Sequence, residues 1–131
     1  MNIDESRPIW LQLVEEFQRR IAVGEWAAGT KIPSVRELAM DIGVNPNTVQ
    51  RAFSETDRLG LTVPMRTAGR YVTDDSDVIG GARSEMAEAT IDGFIDVVVG
   101  IGMDLDETIA ALADRWPEAS SIITAEQKDE R

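Results

Sequence analysis

The side chains with the clearest chemical potential lie between residues 34 and 51 and are suited to hydrogen bonding rather than to catalysis. Arg36 carries a planar guanidinium that can hold a phosphate or a guanine edge. Asn47 and Gln50 carry amides that can pair with adenine through one donor and one acceptor. The same stretch also contains Asn45, Thr48 and Arg51. Together these residue types can read base edges and hold a phosphate backbone.

The 131-residue sequence lacks residue types that several classes of catalysis require. The chain has no Cys and no His, which excludes disulfides, Cys/His zinc sites, thiol nucleophiles and imidazole acid-base catalysis. No nucleophile-base pair or phosphate-binding loop is visible. The acids Asp104, Asp106 and Glu107 are better explained as a helix cap than as a Mg²⁺ or Ca²⁺ site, because they lack the longer loop and turn Gly of a calcium loop. We therefore expect no enzyme, no metal and no cofactor.

The charge of the chain is unevenly distributed. The formal net charge is −11. Residues 1–72 are neutral, with nine basic and nine acidic side chains, and residues 73–131 carry the whole excess of acid. The asymmetry predicts two parts with different partners. The chain also shows neither a membrane span nor a signal peptide, so we expect a cytoplasmic protein.

The first part of the chain reads as three helices followed by a β-hairpin. Apolar spacing predicts a first helix over about 8–23. A capping-box pattern opens a second helix at 35–42. A cap followed by proline opens a third helix at about 46–59. Two short extended runs within 61–73 then predict a β-hairpin.

The second part reads as two helices at about 83–101 and 105–115, after an acidic linker at 74–82 and before a polar tail. The predicted domains are therefore 1–73 and 83–131. A two-helix hairpin of this length cannot bury its own apolar faces, which predicts packing on a second copy. The residues expected at that dimer interface are Met86, Ile91, Phe94, Ile95, Val98, Ile109, Leu112 and Trp116.

Helix, helix, tight turn, helix and β-ribbon is the order of a winged helix-turn-helix, in which the third helix enters the major groove. The wording of five segments is more specific than the order. These segments are PIWLQL (8–13), GTKIPSVRELA (29–39), GVNPNTVQRAF (43–53), LGL (59–61) and AGRYV (68–72). Over residues 7–73 the chain resembles the DNA-binding domain of the GntR family of bacterial transcription regulators. The fold class predicted is mainly α, with an N-terminal winged helix-turn-helix and a short helical C-terminal dimerisation segment.

The resemblance implies which residues contact DNA. In the helix-turn-helix these are Arg36, Asn45, Asn47, Thr48, Gln50 and Arg51; in the β-hairpin they are Arg66, Thr67, Gly69 and Arg70. Each has a plainer structural interpretation. Asn45 can be only a helix cap, and Arg66 and Arg70 can be ordinary strand residues. The chain also departs from the usual pattern, with Thr67 where relatives often have Gly and Arg70 where they often have Thr.

The second part implies a branch of the family. Residues 73–131 are too few for the effector domains of larger members, and they resemble the short C-terminal region of the YtrA-type branch, whose helices chiefly serve dimerisation. The resemblance implies a homodimer that binds double-stranded DNA at a palindromic operator, most simply as a repressor. It leaves any small-molecule effector unspecified.

A different class of function stays open at this point. A winged-helix protein-interaction module could use its acidic C-terminal half to bind a basic partner, and the neutral charge of residues 1–72 favours that alternative. A positive face across the third helix and the hairpin would favour DNA.

Overall fold

A computed structural model of the chain describes residues 1–117 and divides the chain into two compact units, Met1–Ala87 and Glu88–Arg131. The elements in chain order are α1 (Ile9–Ala22), α2 (Val35–Ile42), α3 (Pro46–Arg58), β1 (Thr62–Met65), β2 (Gly69–Val72), α4 (Ser76–Gly100) and α5 (Leu105–Arg115). The predicted fold class is confirmed, since three helices and an antiparallel hairpin precede two further helices. The predicted polar tail begins at residue 118 and lies outside the described residues.

The core of the first unit lies between α1, α2 and α3. Phe17 of α1 and Phe53 of α3 are fully buried and stack with 4.7 Å between their ring centroids. Trp26, in the segment after α1, covers this pair with its centroid 5.1 Å from that of Phe17. Leu38 of α2 is buried in the same cluster. This packing orients α3 on the other two helices, because buried aromatic side chains contribute most of the apolar area in a small core.

The start of α2 and the turn between α2 and α3 are set by local hydrogen bonds and one glycine. Ser34 Oγ accepts a bond of 3.1 Å from the backbone N–H of Glu37, so the Ser34 half of the predicted capping box forms. Gly43 ends α2 with a φ of +82°, a conformation that side chains rarely adopt. Asn45 then caps α3 by accepting a bond of 2.8 Å from Asn47 N–H. The first turn of α3 therefore has a defined entry direction.

The hairpin formed by β1 and β2, residues 62–72, is called the wing below. Its antiparallel register pairs Thr62 with Val72 and Met65 with Gly69. The segment before α2 adds to its other side, because Ile32 N–H donates to Arg70 O and Val72 N–H donates to Thr30 O, both at 2.9 Å. This pairing is a single isolated bridge, between Lys31 and Tyr71. The wing is thus joined directly to the lead-in of α2.

The irregular linker predicted at 74–82 is wrong, because α4 begins at Ser76 rather than at 83. Asp75 Oδ1 accepts from the backbone N–H groups of Asp77 and Val78, as a helix cap does. Val78 packs against the core of the first unit, and Ala82 is buried there. Tertiary packing outweighs the low helix propensity of the two intervening glycines.

The second unit has no buried apolar side chain among its described residues. Thr108 is its one buried residue in that range. Asp104 and Glu107 form the reciprocal capping box that the sequence predicted at the start of α5, so the helices are locally well formed although their apolar faces are open. None of the helices within residues 1–117 is long and apolar enough to cross a membrane.

Candidate nucleic-acid interface

The first turns of α3 present polar side chains outward. Val49, Ala52 and Phe53 are buried on the inner face, which leaves Asn47 and Gln50 exposed on the outer face. The first N–H groups of α3 are already used, since Pro46 has none and those of Asn47 and Thr48 donate to Asn45. The positive dipole end of the helix still attracts phosphate or base acceptors. This end of α3 therefore offers amide side chains next to a weakly positive backbone.

Two further predicted residues at this end have mixed roles. The Asn45 side chain is exposed, but its Oδ1 is already used as the cap of α3. Thr48 is half-buried, and its backbone N–H donates to Asn45 O at 3.0 Å. Their first contribution is therefore to the shape of the α3 start, and the exposed part of each side chain remains available to a ligand.

The neutral charge of residues 1–72 conceals a division among their basic side chains. Five arginines pair with carboxylates: Arg7, Arg19, Arg20, Arg58 and Arg70. The other four basic side chains form no ion pair within residues 1–117, and these are Lys31, Arg36, Arg51 and Arg66. A charge whose carboxylate partner lies beside it has little field at a distance, so the four unpaired cations dominate the positive potential of this unit.

The pairing is strongest on α1, beside the core. Glu16 accepts hydrogen bonds from Arg19 at 2.9 and 3.0 Å and from Arg20 at 2.7 Å. The hydrogen bonds from Arg19, followed by those from Arg20, lower the pKa of Glu16 from 4.5 to about 2. This carboxylate is therefore ionised throughout the physiological range. Together with Glu25, which pairs with Arg19 at 3.1 Å, it offsets the charge of both guanidinium groups.

Arg36 lies next to the start of α3. It is exposed and lines a shallow pocket together with Met40, Asn45 and Pro46. A ligand that contacts the amides at the start of α3 is thus within reach of a guanidinium from α2. The structure thus places Arg36 beside the start of α3.

The wing contributes Arg66 and Thr67 at its exposed tip. Gly69 follows with a φ of +90°, and a Cβ built on it would lie 2.9 Å from Lys31 Cε. A glycine is therefore needed at this position for its conformation, whereas the flexible end of the Lys31 side chain can move aside from an added Cβ.

Sequence reasoning missed Lys31 as a candidate contact. Its ammonium lies beside Gly69 in an open groove that is also lined by Ser34 and Pro64. The only sequence signal was its position in the motif run at 29–39, and a lysine there gives no hint that the backbone pairs with β2. The structure brings Lys31 to the wing through that pairing.

The guanidinium of Arg51 stacks on an aromatic ring. Its Cζ lies 4.2 Å from the ring centroid of Trp10 on α1, and the side chain remains exposed. A cation over an aromatic face is attracted by the ring quadrupole, and the stacking also limits the rotamers of the arginine. Arg51 is thus pre-oriented on the outer surface of α3.

Arg70, unlike Arg51, is already bound to an acidic partner. Its Nε and Nη2 donate to the two carboxylate oxygens of Asp57, each at 3.0 Å. Its guanidinium also lies 4.5 Å from the Phe53 ring centroid, and only 15% of its side chain is exposed. This geometry argues against the predicted DNA contact, because the guanidinium would first have to leave a bidentate partner.

The candidate dimer residues lie where the apolar surface is open. Seven of the eight are exposed and Val98 is half-buried. Met86 belongs to the first unit. The others lie on the part of α4 within the second unit and on α5, except Trp116, which directly follows α5. The same region exposes further apolar side chains, among them Val97, Val99, Ile101 and Leu105.

Comparison with known proteins gives consistent matches. The model of "Bacterial regulatory proteins, gntR family" matches residues 10–72. The regulator YhcF of Bacillus subtilis is 31% identical over 82% of this chain and 88% of its own length. The repressor YtrA of the same organism is 38% identical over 54% of this chain and 55% of its own length. A solved GntR family transcriptional regulator from Listeria monocytogenes is 33% identical with a TM-score of 0.72, covering 86% of this chain and 98% of that one.

Proposed function

The chain belongs to the GntR family of DNA-binding transcriptional regulators, and on that premise we propose that it is a homodimeric repressor of a two-fold symmetric operator. The first unit is the DNA-binding part, and the second unit joins two copies. Its place of action is the cytoplasm, where bacterial DNA lies. No small-molecule effector is assigned.

The proposed DNA-binding surface is supported chiefly by the division of the basic side chains into paired and unpaired ones. Lys31, Arg36, Arg51 and Arg66 lack acid partners within the described residues, whereas the remaining arginines of residues 1–72 are neutralised. Three of them lie on α2, α3 and the wing, which are the elements proposed to face DNA, and Lys31 lies beside the wing. The alternative of a protein-interaction module was favoured by neutral charge, and the division of that charge removes its support.

Roles follow from side-chain chemistry and position. Asn47 and Gln50 are proposed to read base edges, with Thr48 beside them. Arg36 is proposed to contact a base edge or the adjacent phosphate. The remaining proposed backbone contacts are Lys31, Arg51, Arg66, Thr67 and Gly69. Asn45 acts chiefly as the cap of α3.

The proposal of a homodimer is supported by the open apolar surface of the second unit. Apolar residues occupy more than half of the circumference of α4 between 91 and 100, and the polar side holds Asp92 and Asp96. Among the described residues no apolar side chain of this unit is buried, so neither helix covers the other. Patches of this extent mark an interface, and a second copy supplies a matching surface with two-fold symmetry.

The repressor assignment is supported by similarity alone. YtrA of Bacillus subtilis is named a repressor, and its match covers the DNA-binding unit. Occupation of an operator by the DNA-binding unit is sufficient to block transcription.

A charge-matched pair of double variants tests the DNA-binding surface. Arg36→Gln/Arg66→Gln and Arg7→Gln/Arg58→Gln each remove two positive charges, but only the first pair removes unpaired cations. The probe is the duplex that the wild-type chain selects from a random pool, and affinity is measured over a range of salt concentrations. The first variant should bind more weakly with a salt slope reduced by about 2. Equal losses in the two variants would show that net charge, and not this surface, controls binding.

A further inference from the structure

A polar network connects the C-terminal end of α3 to both strands of the wing. Asp57 of α3 accepts both hydrogen bonds of the Arg70 guanidinium, from β2. Thr62 of β1 donates its hydroxyl to the same carboxylate. Thr56 of α3 and Thr62 lie 2.8 Å apart through their hydroxyl oxygens, and both residues are buried.

The hydroxyl groups of the two threonines complete the network. Each threonine has one proton to donate. Thr62 gives its proton to the charged Asp57, the stronger acceptor. The proton of Thr56 is then shared between Thr62 Oγ1 and the backbone carbonyl of Phe53, which lies 3.1 Å from Thr56 Oγ1. Every member of the network is satisfied, and such a network favours a single geometry over its alternatives.

Arg70 also contacts the segment that precedes α2. The backbone carbonyl of Arg70 accepts from Ile32 N–H at 2.9 Å, in the segment that carries Lys31. Its guanidinium covers the Phe53 ring, which lies on α3. Residue 70 is therefore the point at which α3, the wing and the lead-in of α2 meet.

We propose that Arg70 and Asp57 are positioning residues, which set the orientation of the wing relative to α3 so that Arg66 and the amides of α3 engage one DNA duplex together. The inference rests on the proposed function, since it concerns the same DNA-binding surface. Arg70 makes no direct DNA contact. Moving its guanidinium to a phosphate would leave the partly covered Asp57 carboxylate without its cation, which is costly.

The decisive variant is Asp57→Asn, because the two interpretations predict opposite signs. If Arg70 orients the wing, loss of the carboxylate weakens binding even though the protein becomes less negative. If Arg70 binds phosphate, the same change releases a cation toward the DNA and tightens binding. The probe is again the duplex selected by the wild-type chain, so failure of the proposed function shows first, as the absence of any selected duplex.

We expect Asp57→Asn to weaken binding roughly 3- to 30-fold, the range typical of residues that act through others. The matched control is Glu55→Gln, which removes the same charge from an ion pair with Arg58 that lies within α3. The control should bind as well as the wild type or slightly better. Tighter binding by Asp57→Asn, or equal weakening of both variants, would overturn the proposal.

A second readout separates orientation from mere stability. In the wild type, Arg66→Ala should lower the salt slope by about 1, as expected for one lost phosphate contact. In the Asp57→Asn background the same change should have little effect, because the wing no longer presents Arg66. Thermal unfolding by circular dichroism confirms that both proteins are folded at the assay temperature. Should Asp57→Asn not fold, Arg66→Ala is measured instead in the Thr62→Val background, which loses one link of the network while the ion pair stays, and its effect on the salt slope should again be diminished. An undiminished effect of Arg66→Ala in the altered background would contradict the proposal.

Discussion

Asn47 and Gln50 stand on the exposed side of the first turns of α3, where an amide can form two hydrogen bonds with adenine. Replacing either by Ala should relax base preference at one position of each half-site, at a cost of about 1 to 3 kcal/mol in discrimination. The measurement is selection from a random pool with each variant and with the wild type. Unaltered preferences in both variants would shift base reading to Arg36 or Arg51.

Glu16 makes the stability of the first unit sensitive to acid. Its pKa is lowered to about 2 by its hydrogen bonds with Arg19 and Arg20, so the folded state holds this carboxylate ionised more strongly than the unfolded chain does. The stabilisation is complete above the ordinary value of 4.5 and is lost as the pH falls toward 2.

The variant Glu16→Gln should therefore lower the free energy of unfolding by about 1 kcal/mol at pH 7, a value that allows for solvent screening around the exposed Arg19. Urea unfolding from pH 7 to pH 2 measures the difference from the wild type, which should shrink as the pH falls. Glu15→Gln, at an exposed carboxylate that pairs with Arg7, is the control and should change stability less. A difference for Glu16→Gln that does not depend on pH would contradict the ionic origin.

The sequence indicates the positions of some side chains of the candidate site, but it does not indicate the positions of those that depend on long-range contacts. Asn47, Gln50 and Arg36 follow from motif position and helical spacing. Arg70 and Lys31 do not. The partner of Arg70 is thirteen residues away on α3, and Lys31 reaches the wing through a strand pairing that its local sequence does not encode.

Two glycines should respond to alanine with opposite signs because their backbone conformations differ. Gly81 lies within α4, where an added Cβ would meet nothing within 4 Å, and Gly43 has a φ of +82°. Gly81→Ala should raise the free energy of unfolding by about 0.5 to 1 kcal/mol, since alanine loses less backbone entropy in a helix. Gly43→Ala should lower it by about 1 kcal/mol or more. Chemical denaturation of both variants measures the changes, and a destabilised Gly81→Ala would mean that this part of α4 is not a plain helix.

The elements show where local pattern is sufficient and where it fails. α1, α2, α3 and the hairpin have clear caps or periodicity, and the sequence predicted all of them. The start of α4 was displaced by seven residues, because glycines and acids suggested a linker while Val78 and Ala82 gain burial against the core. Burial against a distant surface is not visible in a local window of sequence.

The two units carry different kinds of surface, and the open apolar surface of the second should decide the oligomeric state. Phe94 is a large exposed aromatic residue on α4. Phe94→Asp places a charge in the proposed interface, and burying that charge would cost several kcal/mol if it stayed ionised. The variant should sediment as a monomer. It should bind the selected duplex roughly 100-fold more weakly, because two separate monomers no longer occupy the two half-sites of the DNA as one unit.

Val23→Asp is the control, since it places the same charge at an exposed apolar residue of the first unit, with 62% of Val23 exposed against 39% of Phe94. It should sediment as the wild type does. A dimeric Phe94→Asp would place the interface elsewhere.

Selection of bound duplexes from a random DNA pool by the full chain tests the central claim most directly. A dimer that presents two winged helices should enrich a two-fold symmetric sequence whose half-sites are separated by about one helical turn, roughly 10 base pairs, or a multiple of it. The enriched bases should fall within the span that α3 can reach. Failure to enrich any sequence, or enrichment of a single unrepeated half-site, would contradict the account of a homodimeric, sequence-specific repressor.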